Sequence, residues 1–140
     1  MNGEHSRIRA LKERWAEEDA ARDKREERAQ QVFLEAEANR TFAPIEDFLV
    51  RLSEVLSGAG ASVEIDTTWQ HLTDRRLRRV AKVVSSNPLQ RLPLDFTIHG
   101  VSIFYHDKVF RFDNGIAALI LAITAEVENF LTPPGKPAGS

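Results

Sequence analysis

The hydrophobic positions divide the chain into a long polar stretch and a series of shorter apolar segments. Residues 5 to 39 contain neither proline nor glycine and are dominated by alanine, glutamate and arginine, which are strong helix formers. This composition predicts one long charged helix within residues 1–40. Its central turns offer only alanines as apolar side chains, so the helix is expected to be solvated in the middle and to make contacts at its ends.

The two ends of this helix carry its large apolar side chains. Ile8, Leu11 and Trp15 begin a coiled-coil pattern that then fails, because its continuation falls on charged residues. These three residues are predicted to form a contact with a second copy or another protein. The run 32–34, Val-Phe-Leu, is expected to anchor the helix to the following domain.

Two further helices follow from three- and four-residue apolar spacing. One is predicted to begin at Thr41, with Pro44 in its first turn, and to stop at the glycine-containing sequence 57–60. The other is predicted to be capped by residues 113–115 and to run to about Leu131, before two prolines.

The segments between these helices read mainly as strands. Ala61 to Thr68 alternates apolar and acidic residues, which is typical of a half-buried strand. Residues 73–86 fit a helix or a strand, and a strand is favoured because it would pair with 61–68. Asn87, Pro88 and Pro93 then predict a loop.

A three-stranded meander is predicted at about 95–112. With strands at 95–98, 101–105 and 109–112, Ile98 pairs with Val101 and Phe96 with Ile103. One face then collects the large apolar side chains, namely Phe96, Ile98, Val101, Ile103, Tyr105, Phe110 and Phe112. The second turn is predicted at either residues 106–107 or residues 107–108. The opposite face is mostly polar and presents one exposed aromatic residue, Phe104.

These elements predict an α+β fold. An antiparallel sheet of three to four strands is packed on one face by two amphipathic helices, with the long charged helix at the N-terminus. The expected organisation is a projecting or oligomerising helix at 1–40, an α+β domain at 41–132 and a flexible tail at 133–140.

Composition excludes several classes of site. The chain of 140 residues has no cysteine, which rules out disulfides, thiolate nucleophiles and thiolate metal sites. Its first fifteen residues are highly charged and no apolar run can cross a bilayer, so we expect a cytoplasmic protein without a membrane segment. Arginine outnumbers lysine fourteen to five, which favours a bacterial source.

Charge is distributed unevenly. Residues 71–112 hold eight basic and three acidic residues in a chain whose net charge is −2. The basic cluster, Arg75, Arg76, Arg78, Arg79 and Lys82, is a candidate contact for an anion or for nucleic acid. The alternative is that these side chains pair within the protein, with Glu64, Asp66 or the N-terminal helix.

Histidines are the remaining candidates for catalysis. His71 has Asp66 and Asp74 nearby in sequence, whereas His99 and His106 fall near opposite ends of a predicted strand and cannot share a metal. No nucleophile elbow, HExxH, P-loop or dinucleotide-binding motif accompanies them. The sequence therefore predicts no catalytic residue, metal ligand or cofactor.

Three hypotheses for function follow in order. The first is a small non-enzymatic module that binds itself or another protein, through Ile8, Leu11, Trp15 and Phe104. The second is a nucleic-acid-associated accessory protein that uses the basic cluster; the acidic remainder of the chain disfavours it. The third is a histidine-dependent enzyme.

Overall fold

The computed structural model describes residues 2–86 and 88–132, with side chains from residue 5 onward. This part of the chain forms two α-helices, a short 3-10 helix at Thr73–Arg75 and six strands. The elements are α1 (Asn2–Ser57), β1 (Ala61–Ile65), β2 (Gln70–His71), β3 (Leu77–Ser86), β4 (Leu89–His99), β5 (Ser102–Tyr105), β6 (Lys108–Arg111) and α2 (Ile116–Leu131). The predicted α+β class is confirmed; the predicted tail at 133–140 lies outside the described residues.

The two helices expected before residue 57 are one continuous helix, α1, which includes Pro44. Thr41 lies inside this helix and therefore does not cap a new one; its hydroxyl donates to the carbonyl oxygen of Gly100 at 3.2 Å. Proline inside a helix costs about 3 kcal/mol. Buried Phe42 and Ile45 lie on either side of Pro44 and outweigh this cost, at about 1.5 to 3 kcal/mol each.

The predicted helix stop is confirmed at the end of α1. The amide of Ala59 donates to the carbonyl of Leu56 at 2.9 Å, and Gly60 has a φ of 75°. Glycine adopts this left-handed conformation without steric strain. The carbonyl of Gly60 then accepts from the Ser86 amide at 3.1 Å, which places the start of β1 beside the end of β3.

The sheet has more strands than the three to four expected. Its order is β1-β3-β4-β5-β6, with β2 also paired to β3, and every pairing is antiparallel. Residues 77–86 are a strand, as favoured, and β3 pairs with β1 as predicted, for example Val83 with Val63. The strand predicted over 61–68 ends earlier, at Ile65.

The loop expected to reach Pro93 is wrong, because β4 begins at Leu89 and includes this proline. Pro93 faces Lys82 of β3, whereas β5 pairs only with Phe96–His99 of β4. Proline has no amide N–H to donate, so it does not fit in a strand position whose amide must bond to a neighbouring strand. Pro93 is tolerated because that edge of β4 is not covered by β5.

The meander is confirmed, with a register that differs by two residues from the predicted one. Ile98 pairs with Ile103, not Val101, and Phe96 pairs with Tyr105. A shift of two residues preserves the alternation of strand faces, so these four paired side chains are buried together as predicted.

The same shift overturns two of the predicted burials. Val101 moves into the turn between β4 and β5 and is exposed, and Phe112 lies beyond the end of β6 and is exposed as well. Phe110 is half-buried opposite Ile103. Tyr105 pairs with Lys108, so the second turn is at residues 106–107.

Helix α2 begins at Ile116 and buries Leu119, Ile123 and Val127. Its N-cap is Gly115, which lies within the predicted 113–115, but no side chain makes a capping hydrogen bond. A Cβ atom at Gly115 would lie 2.7 Å from the backbone nitrogen of Arg111 and 2.8 Å from its oxygen. The chain therefore requires glycine where β6 turns into α2.

Both helical contributions to the core pack on one face of the sheet. From α1, the ring of Phe42 lies 5.1 Å from the ring of Phe96. Phe96 stacks on Tyr105, and the hydroxyl of Tyr105 donates a hydrogen bond to Glu126 of α2. On the opposite face of the central strands, every side chain is half-buried or exposed.

Candidate functional site

The N-terminal part of α1 carries the side chains on which the first hypothesis depends. The chain divides into two compact units between Leu34 and Glu35. Every side chain from residue 5 to residue 33 is exposed. Ile8, Leu11 and Trp15 are exposed by 52%, 44% and 58%, and their spacing puts them on one side of the helix. We call these three residues the N-terminal apolar face.

Val32 and Phe33, which were expected from the sequence to anchor the helix, are 65% and 64% exposed. The first buried side chain of α1 is Ala38, followed by Phe42 at helical spacing. At about 100° per residue, Val32 and Phe33 point roughly 120° to 140° away from the buried side of the helix. Half-buried Leu34 is the one residue of the three that falls on that side.

Phe104 is half-buried, not exposed, on the uncovered face of the sheet. It lies between Thr97 of β4 and Val109 of β6. The guanidinium carbon of Arg76 lies 5.4 Å from the centre of its ring, within the range of a cation–π contact. Because an arginine already covers this ring, Phe104 offers less free apolar surface than the sequence predicts.

The basic cluster does not form one surface. Strand alternation in β3 sends Arg79 into the core and leaves Arg78 and Lys82 on the other face. Arg78 makes a bidentate contact with Asp95, at 2.6 and 3.0 Å, which raises the pKa of Arg78.

The rest of the cluster is also divided. Lys82 lies 3.2 Å from Glu64, one of the internal partners considered from the sequence. Arg76 covers Phe104, and Arg75 forms no salt bridge in the described structure. Few free charges therefore remain for phosphates.

Arg79 forms a site that sequence analysis missed. Its guanidinium carbon lies 3.9 Å from the ring centre of Trp69 and 5.6 Å from that of Phe42, and the side chain is only 5% exposed. It donates to the carbonyl oxygen of Thr67 at 2.8 Å and lies 4.0 Å from Glu46. Burial lowers the pKa of Arg79, and its Nε atom has no hydrogen-bond partner. The apolar alternation of β3 was the available signal, since it puts position 79 between buried Leu77 and Ala81.

The histidines pair with residues that the sequence did not indicate. His71 Nε2 lies 3.2 Å from Glu35 of α1. Its partner is therefore Glu35, and not Asp66 or Asp74. The carboxylate of Asp66 instead accepts from the amide and hydroxyl of Thr68, and these hydrogen bonds lower the pKa of Asp66. Among the described residues, no three metal-ligating side chains come together.

A cavity of about 320 Å³ lies where the β5–β6 turn meets α2. At its edge, one oxygen of Glu126 accepts from the Tyr105 hydroxyl, and the other lies 3.4 Å from His106 Nε2. Burial, followed by the bond to Glu126, raises the pKa of Tyr105 above its ordinary value. Tyr105 is thus held as a neutral phenol and Glu126 has both oxygens engaged, an arrangement that fastens the hairpin to the helix.

Comparisons of the chain with protein-family models, with curated proteins and with solved structures found no match. In the described part of the chain, no helix is long and apolar enough to cross a membrane. The arguments for function therefore rest on the geometry of the residues themselves.

Proposed function

We propose that this protein is a non-enzymatic interaction module that self-associates through the N-terminal apolar face, Ile8, Leu11 and Trp15. The observation that supports the proposal is the exposure of these three large side chains on one side of α1. In proteins, most of the stability of a helix comes from packing one of its faces and not from helix propensity alone. Docking this side on a second copy removes apolar surface from water, and this burial also stabilises the helix.

The expected affinity follows from the exposed area. Full burial of a large apolar side chain contributes about 1.5 to 3 kcal/mol. Ile8, Leu11 and Trp15 retain about half of their surface in the monomer, so each contributes about 1 kcal/mol. Six such side chains in a dimer contribute about 6 kcal/mol, against at least about 4 kcal/mol of lost translational and rotational freedom. These six side chains alone therefore leave about 2 kcal/mol at most, and the dissociation constant of about a millimolar to about a micromolar that we propose requires roughly 2 to 6 kcal/mol more from flanking contacts.

The test is sedimentation equilibrium of the full chain over about 10 to 500 µM, since a dimer with a dissociation constant between about a micromolar and about a millimolar is at least partly formed at the upper end of this range. The variant Ile8→Ala/Leu11→Ala/Trp15→Ala should stay monomeric over the whole range, while the parent chain shows a rising average mass. Alanine is the strongest helix former, so the variant loses apolar area without losing helix propensity. Circular dichroism at the same concentrations confirms that the helix is retained.

A matched control replaces three residues on the opposite side of the same helix, as Glu13→Ala/Glu17→Ala/Lys24→Ala. It should associate like the parent chain, because the N-terminal apolar face is intact. A parent chain that is monomeric at about 500 µM refutes self-association. A control that dissociates as fully as the first variant shows that overall charge, not this face, drives assembly.

Nucleic acid gives a separate way to contradict the proposal. The parent chain is expected to show no retention on single- or double-stranded nucleic acid at physiological salt, because Arg79 is buried and Arg78 and Lys82 are engaged. Retention that disappears in Arg75→Ala/Arg76→Ala would favour the nucleic-acid-associated function instead.

A further inference from the structure

One side of α1 between residues 8 and 33 has apolar side chains near both ends and charged side chains in the middle, except that Trp15 corresponds to Glu26 when the direction is reversed. At about 100° per residue, Ile8, Trp15 and Phe33 lie on one line along the helix, with Leu11 and Ala29 together on one flank. The intervening positions on this line are charged, and they include Asp19 and Arg22. We call this line, with its flanks, the helix seam.

The seam maps onto itself when the helix is reversed about a point between residues 20 and 21. In an antiparallel pair centred there, residues face each other when their numbers sum to about 41. Ile8 then faces Phe33 twice, and Leu11 contacts Ala29 of the second copy. The strongly exposed Phe33 thereby gains an apolar partner.

The charges at the centre of the seam favour this orientation over the parallel one. Asp19 and Arg22 already form an exposed ion pair at 2.9 Å within one helix. Antiparallel pairing brings two such pairs together, with each Asp19 facing an Arg22. Parallel pairing in register sets Asp19 against Asp19 and Arg22 against Arg22, and like charges across a helix interface are unfavourable.

We infer that the partner of the helix seam is a second copy of this chain in antiparallel orientation, with residue sums near 41. This inference rests on the proposed function and specifies its geometry. The second copy supplies the apolar contact for Phe33 and neutralises the charged centre, and the interface lies entirely within the helix.

Cysteine cross-linking tests the orientation, because the chain has no cysteine of its own. Lys12 and Gln30 lie on the same flank of the seam and face each other in the antiparallel pair. Lys12→Cys mixed with Gln30→Cys should give the mixed disulfide in about tenfold excess over either homodimer under mild oxidation. In a parallel pair the two positions are about 27 Å apart along the helix.

Glu26→Cys is the matched control, since Glu26 lies on the seam but faces Trp15 in the antiparallel pair. It should form little disulfide with itself, whereas a parallel pair would cross-link it efficiently. A reciprocal test uses charge at low salt: Asp19→Arg should weaken association about tenfold, and Asp19→Arg/Arg22→Asp should restore it. In a parallel pair the single variant exchanges one like-charge pair for another and leaves the affinity nearly unchanged.

The outcomes separate this inference from the proposed function. Monomeric parent protein refutes both. A dimer that cross-links through Glu26→Cys, or one insensitive to Asp19→Arg, keeps self-association and refutes the antiparallel geometry. A dimer with the mixed disulfide and the charge rescue supports the geometry.

Discussion

Replacing Arg79 by methionine tests whether the core of the domain needs the buried charge or only the flat apolar body of this side chain. Arg79 is stacked on Trp69 at 3.9 Å and is 5% exposed. Methionine keeps a long flexible stem and makes favourable sulfur–aromatic contacts, but it carries no charge. We expect Arg79→Met to change the free energy of unfolding by less than about 1 kcal/mol.

The expectation follows from two opposing sums. Three contacts stabilise arginine at this position. The hydrogen bond to Thr67 contributes about 1.5 to 3 kcal/mol and the cation–π contact with Trp69 about 0.5 to 2 kcal/mol. The ion pair with Glu46 contributes no more than about 1 kcal/mol. Two effects destabilise arginine at this position. Desolvation of the charge costs several kcal/mol, and the unpartnered Nε atom costs about 1 to 3 kcal/mol. The sums nearly cancel, so removing all of these contributions together changes little.

Two further variants at the same position sharpen the test. Arg79→Lys keeps the charge but loses the planar stacking group, so it retains the desolvation cost with weaker compensation and should lose about 2 kcal/mol. Arg79→Ala should lose about 2 to 4 kcal/mol, because it leaves a cavity beside Trp69 and Phe42. The exposed Arg75→Met is the matched control and should be silent.

Urea unfolding at pH 7, followed by circular dichroism, measures all four variants on one scale. The order of stability should be parent and Arg79→Met, then Arg79→Lys, then Arg79→Ala. If Arg79→Lys matched the parent protein while Arg79→Met lost more than about 2 kcal/mol, the charge itself would stabilise the fold and the balance argued above would be wrong.

Two other predictions concern the junctions with α2. Gly115→Ala should lower the free energy of unfolding by at least about 2 kcal/mol, because the added Cβ would overlap the backbone of Arg111. Gly58→Ala is the control and should be tolerated, since the nearest atom to its Cβ is 3.8 Å away. Equal melting temperatures for the two variants would contradict the close approach at Gly115. Tyr105 is the only tyrosine, so ultraviolet titration reports it alone. Its pKa is raised in the folded state by burial and by the bond to Glu126, so its contribution to stability is complete below the unfolded pKa of about 10 and is lost as pH rises above it. Tyrosinate absorbance that appears near pH 10 without unfolding would refute the burial.

The sequence predicts those parts of the fold in which side-chain periodicity alone determines the structure. Strand alternation identified Phe96, Ile98 and Ile103 as buried together, and this survived an error of two residues in the register because such a shift preserves the faces. The register itself depends on the turn, where Gly100 and Val101 replaced the expected pair of turn residues. Local signals were weakest where tertiary contacts override them, as at Pro93 within β4.

The candidate sites were less predictable, for a related reason. A basic cluster in sequence is a single surface only if its backbone is helical, and in a strand Arg78 and Arg79 point to opposite faces. The partners of the charged side chains come from distant segments, as with His71 and Glu35 or Tyr105 and Glu126. No spacing rule in a single sequence predicts such pairs.

The proposed interaction role depends on the first of the two compact units, whose side chains from residue 5 to residue 33 are all exposed. In the unit that begins at Glu35, several charged side chains pair with others, as Arg78 does with Asp95, Lys82 with Glu64 and Glu126 with Tyr105. Along residues 5–33 every side chain is exposed, and the large apolar ones among them lie on the proposed helix seam or close to it. The proposed self-association removes these side chains from water, which is the free-energy gain that the proposal requires.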